Sequence, residues 1–61
     1  MVTFTVLAYS VDSTGRIYGE AKPKHVWTKE LMESYRGMRY VSMIFENENG
    51  KSKLIWENRR G

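Results

Sequence analysis

His25 is the only imidazole in the sequence, and no cysteine accompanies it. Acid–base and nucleophilic catalysis both need an activated group held against a partner. A Cys–His pair is therefore impossible, and a Ser–His–Asp arrangement has a single candidate base. His25 lies in Lys22-Pro23-Lys24-His25, a basic setting with no obvious carboxylate to orient the ring. It reads as a solvated loop residue. Glu46 and Glu48 could form a carboxylate pair, but lysines fall opposite both in the hairpin described below. One histidine without cysteine cannot build the usual zinc site. Gly15-Arg16-Ile17-Tyr18-Gly19 lacks both the spacing of a phosphate-cradling loop and the helix that should follow it. A chain of 61 residues also has little room for a concave substrate pocket. The expectation is a protein that is not an enzyme and holds no cofactor and no metal.

Binding chemistry is better represented. The chain has two tryptophans, four tyrosines and two phenylalanines, and a net charge of +3. The charge is spread evenly. Residues 1–28 carry Arg16, Lys22 and Lys24 against Asp12 and Glu20. Residues 29–40 carry Lys29, Arg36 and Arg39 against Glu30 and Glu33. Residues 41–61 carry Lys51, Lys53, Arg59 and Arg60 against Glu46, Glu48 and Glu57, so each third is +1. A dedicated nucleic-acid binder more often concentrates its cations in one stripe. Lys22, Lys24 and Trp27, with Arg60 at the far end, could still contact phosphates and stack on a base. The simpler use of Trp27 is to pack on Met32 as a hydrophobic staple at a helix start.

The elements that must position these residues follow from pattern. Val2 to Val11 is rich in β-branched and aromatic residues and predicts a strand. Asp12-Ser13-Thr14-Gly15 supplies turn chemistry, and Arg16 to Ala21 predicts a returning strand that Pro23 ends. With a four-residue turn, Tyr9 faces Tyr18. Phe4, Val6, Ala8, Ile17 and Ala21 then share one face, and Thr3, Thr5, Leu7, Tyr9 and Tyr18 the other. Thr28 is an expected N-cap for a short helix carrying Leu31, Met32, Tyr35 and Met38 on one side, with Gly37 as its stop. Asn49-Gly50 between two alternating runs predicts a type I′ hairpin. Its register pairs Glu48 with Lys51, Glu46 with Lys53, Phe45 with Leu54, Ile44 with Ile55, and Met43 with Trp56. Val41, Met43, Phe45, Leu54 and Trp56 are then the expected core. Tyr40, Ile44, Lys53, Ile55 and Arg59 fall on the outer face.

The expected fold is α+β: ββαββ in one domain of residues 1–61, an antiparallel sheet of two hairpins with one short helix on one face. Strand order is not fixed by these patterns. So small a chain buries only about 60% of its unfolded surface, and without cysteine its remaining supports are good packing or self-association. Apolar stretches such as Val6–Ala8 fall far short of the roughly 20 residues that span a membrane. No membrane partner is expected, and a cytoplasmic protein is.

The leading functional expectation is a binding module, an inhibitor or regulator that meets another protein through its uncovered sheet face. The residues expected to do so are Tyr9, Tyr18, Tyr40, Ile44, Lys53, Ile55 and Arg59. A homodimer through the same face is a related expectation. The alternative is a sequence-tolerant nucleic-acid binder. Thr14-Gly15-Arg16-Ile17-Tyr18-Gly19 resembles the Gly-aromatic strands of single-strand RNA binders, although it does not meet their RNP1 pattern. In size and manner the chain is similar to compact accessory proteins of phages and mobile elements, which commonly bind and inhibit a host protein.

Overall fold

The β-rich runs and the single helical segment become β1 (Thr3–Val11), β2 (Ile17–Val26), α1 (Lys29–Tyr35), β3 (Val41–Glu48) and β4 (Lys51–Glu57) in the computed structural model, which describes residues 1–58. The strands form one sheet of order β2-β1-β3-β4, antiparallel throughout. This is the expected ββαββ arrangement. Because β2 and β3 both oppose β1, they run the same way with β1 between them. Their connection must therefore cross over β1, and α1 is that crossover.

The first turn is one residue longer than the sequence suggests. Val11 pairs with Ile17 and Ser10 with Tyr18, so Tyr9 does not face Tyr18. The Asp12 side chain organises the turn. Its Oδ1 accepts from the Thr14 hydroxyl (2.7 Å) and from the amides of Thr14 and Arg16 (2.9 Å each). The strand then continues through Pro23, where the sequence predicts a stop. The strand order explains why: β2 lies at the sheet edge, where a residue without an N–H is tolerated.

Thr28 caps α1 as expected, its hydroxyl oxygen accepting from the Leu31 amide at 3.2 Å. Gly37, just past the helix, has a φ of +86°, which favours glycine and ends the helix. The staple does not form. Val26 enters the core at the end of β2, so alternation sends Trp27 to the opposite side, where it is 67% exposed. Met32 is buried at 3% exposure in the core cluster with Phe4 and Val6.

The second hairpin turns on Asn49 (φ 53°) and Gly50 (φ 76°), the paired positive angles of a type I′ turn. Glu48 pairs with Lys51, Glu46 with Lys53 and Phe45 with Leu54, as the spacing predicts. Beyond that point β4 bulges: Ile44 pairs with Trp56 and Met43 with Glu57, leaving Ile55 as the extra residue. A second irregularity lies between β1 and β3. Leu7 pairs with Met43 and Ala8 with Val41, leaving Ser42 as the extra residue.

These extra residues reverse the expected faces. An additional residue shifts the phase of a strand and lets side chains three apart share a face. Val41 and Ile44 are both fully buried with Phe4, Val6, Val26 and Met32. Ile55, Trp56 and Tyr40 pack against that cluster. Ile44, Ile55 and Tyr40, expected outside, therefore belong to the core side. Met43, Phe45 and Leu54, expected inside, do not. Val41 and Trp56 lie where the sequence predicts them.

Candidate functional site

The sheet face away from α1 can be built strand by strand. On β1 the buried Phe4 and Val6 point to the helix, so Thr3, Thr5, Leu7 and Tyr9 alternate to the other side. Directly paired residues share a face, and the register extends these positions across the sheet. Thr5 is flanked by His25 and Phe45, and Phe45 by Leu54. Leu7 is flanked by Pro23 and Met43, and Met43 by Glu57. Thr3 is followed by Asn47 and then Ser52.

The side-chain hydrogen bonds agree with this placement. Asn47 Nδ2 donates to Thr5 Oγ1 at 2.9 Å, and the Ser52 hydroxyl donates to Asn47 Oδ1 at 2.7 Å. Three polar side chains on the face thus serve one another. Beside them lies an apolar surface of Leu7, Met43, Phe45 and Leu54, with Pro23 at the β2 edge. Leu7, Met43 and Phe45 are half-buried by their neighbours, and Leu54 is 44% exposed. The Trp27 ring stands edge-on to His25, with centroids 5.7 Å apart, at one margin.

The charge pattern is the more telling feature. No lysine or arginine occupies a paired position on this face; its paired ionisable residues are His25 and Glu57. Lys22 pairs with Ala8, Lys24 with Val6 and Lys53 with Glu46, all on the helix side. Lys24 Nζ donates to the Tyr35 hydroxyl at 3.4 Å and lies 5.4 Å from the ring centroid. The shorter distance to oxygen places the ammonium at the rim of the ring, so this is chiefly a hydrogen bond.

The structure therefore divides the residues singled out by sequence. Tyr9 lies on the open face. Tyr18 is exposed but pairs with Ser10, on the helix side by the alternation of β1. Ile44 is inaccessible, Tyr40 and Ile55 pack on the core, and Lys53 faces the helix side. Trp27 lies at the margin of the open face, across the sheet from Lys22 and Lys24. Arg59 and Arg60 lie outside the described residues. The sequence pattern puts Met43, Phe45 and Leu54 inside and Pro23 just past a strand end, whereas all four lie on this face. One signal could have found the first three: keeping Val41 and Ile44 together in the core needs an extra residue between them.

The sheet edges are poorly suited to strand addition. β2 carries Pro23 and an irregular stretch near Gly19, whose φ is +78°. β4 carries Lys51, Lys53 and the Ile55 bulge. Proline, lysine and bulges are the usual means by which edges resist pairing.

A groove of about 510 Å³ lies on the helix side, with Phe4, Met32 and Ile55 among its lining. Lys29 and Arg36 oppose Glu33 and Glu46 around it, so it favours neither sign of ligand. In the first turn the Thr14 hydroxyl, followed by the Arg16 amide, holds the Asp12 carboxyl below its usual value. Among the described residues no three His, Cys, Asp or Glu side chains gather to hold a metal ion. No described helix is long and apolar enough to cross a membrane.

No family model matches the chain, and no curated protein or solved structure is similar to it.

Proposed function

We propose that this protein is a non-catalytic binding module, an inhibitor or regulator that docks another protein on the helix-free face of its sheet. The carrying observation is the composition of that face. Leu7, Met43, Phe45 and Leu54 form its apolar part, and the lysines of β2 and β4 project from the other side. Protein interfaces have apolar, aromatic-rich centres depleted in charge. A nucleic-acid surface needs cations beside its aromatics, since phosphate contacts supply most of the affinity. Here the aromatic Phe45 and the cations Lys22 and Lys24 are on opposite faces.

Affinity capture from a nuclease-treated extract of the source cell or its host tests the proposal. Phe45→Lys should lose the captured protein, while Lys22→Glu/Lys24→Glu should keep it. The opposite result, with capture abolished by nuclease or by moderate salt, would put the nucleic-acid reading in its place.

A further inference from the structure

We infer that in the free protein a second copy of the chain covers the helix-free face, so that the resting form is a two-fold dimer joined sheet to sheet. This rests on reading that face as a protein-docking surface and names its first occupant. The dimer and the foreign complex would then compete for the same residues.

Charge favours this self-contact. A two-fold contact sets one patch against itself, so any concentration of like charge on it is repelled by its own copy. This face has no lysine or arginine at its paired positions, although the chain is +3 overall. Its polar residues are also prepared for burial. Thr5, Asn47 and Ser52 already hydrogen-bond among themselves, which lowers the cost of removing them from water.

The area of the face is close to what a dimer needs. Four strands make a face about 19 Å wide, and the seven residues from Thr3 to Tyr9 run about 23 Å along it. That is roughly 440 Å² per copy in projection, or about 900 Å² for two, before the relief of side chains is added. Specific interfaces begin at about 1,000–1,200 Å² of total buried surface. The projected area falls just short of that range, so a weak dimer needs the whole face covered, with side-chain relief supplying the rest. Leu7, Met43 and Phe45 lie on the central strands β1 and β3, where an interface concentrates its affinity.

The small core supplies the need for a partner, and the edges narrow the route. Among the described residues the core holds only Phe4, Val6, Val26, Met32, Val41 and Ile44 as buried side chains. A core of this size rarely stabilises a domain strongly, and no disulfide reinforces it. Self-association through an edge is opposed by Pro23 on β2 and by the bulge on β4. That favours the open face over the edges.

Sedimentation equilibrium from roughly 1 µM to 1 mM, the range over which a weak dimer dissociates, is the direct test. The apparent mass should rise from 7.2 kDa towards twice that value. Phe45→Lys and Leu54→Lys should each hold it at the monomer mass while keeping the native circular dichroism. Amide chemical shifts of the wild-type chain supply a test that needs no variant: Thr5, Phe45 and Leu54 should move with concentration and the α1 amides should not. A wild-type chain that stays monomeric throughout overturns the inference, as does a dimer whose shift changes lie on α1 or the edges. The reading of the face as a foreign docking site fails separately. A dimer that Phe45→Lys breaks without loss of the captured protein would sink that reading and leave the dimer standing. A monomeric wild type whose Phe45→Lys form loses the captured protein would do the reverse.

Discussion

Phe4, Val6, Val41 and Ile44 lie on the helix side of the sheet and are buried with Met32 of α1; Leu7, Met43, Phe45 and Leu54 lie on the other side with no helix above them. The two sets are alike in hydrophobicity and size. What separates them is the crossover. α1 joins two strands that run the same way and can lie over only one side of the sheet. Among the described residues no second helix covers the other side. Apolar side chains therefore define a core only where another layer reaches them. On the remaining face the same residue types stay partly exposed.

Truncating one residue from each set should give the largest difference between the two sides. Ile44 is 0% exposed, so Ile44→Ala should cost about 2–5 kcal/mol. A chain of this length holds on the order of 3–9 kcal/mol in all, so much of the variant should be unfolded. Phe45→Ala should cost only about 1 kcal/mol in the monomer, because only part of its ring area leaves water on folding. Urea melts at concentrations below dimerisation would rank the two. Strict alternation from the Asn49-Gly50 turn predicts the opposite ranking, so a larger loss at Phe45 would restore that reading and invert both faces.

The misplaced faces show what sequence can and cannot supply here. Asn49-Gly50 specifies its turn because few residues accept two successive positive φ angles, and the pairs beside it follow by counting. Thr28 and Gly37 mark the helix ends because orphaned backbone groups there need particular partners. Counting fails further from the turn, where Ile55 and Ser42 are inserted. A bulge costs little locally and is selected by the fit of the whole sheet, so no short window of sequence announces it. The strand through Pro23 was hidden for a related reason. Proline is compatible with a strand only at an edge, and the edge is a property of strand order.

Gly50→Ala should load both faces equally. No atom lies within 4 Å of the position an added Cβ would take, so its cost is conformational. At a φ of +76° that cost is about 1–2 kcal/mol. The melting temperature should fall while the concentration-dependent shifts of Thr5 and Leu54 persist. Loss of those shifts in a still-folded variant would mean that the turn, and not the face, makes the contact.

Thr28→Ala acts on one side only. Removing the hydroxyl that accepts from the Leu31 amide should cost about 1 kcal/mol. The loss should appear first as faster hydrogen exchange in α1, with β4 amides little changed. Equal acceleration in β4 would show that the helix and the second hairpin open as one unit and that the two faces are not separable.

The smallest effect is expected at Asp12, in the hairpin turn that projects past both faces. Its carboxylate accepts from the Thr14 hydroxyl and from the Thr14 and Arg16 amides, and these bonds favour the charged form. The folded pKa is therefore depressed, and the sign of its linkage to stability follows. The contribution is fully present above the unfolded carboxyl pKa and is lost as pH falls through the folded one. Asp12→Ala should lower the melting temperature slightly at neutral pH, and the gap to wild type should narrow progressively in acid. The turn is fully exposed, so the gap should be small at any pH and should shrink further with added salt. The monomer–dimer midpoint should shift only as far as the lost stability requires, since Asp12 lies beyond the paired strands. A gap that stays constant from neutral pH into strong acid would show that the turn depends on backbone shape alone. A large loss of dimer in this variant would extend the contact surface to the hairpin end and redraw the boundary of the open face.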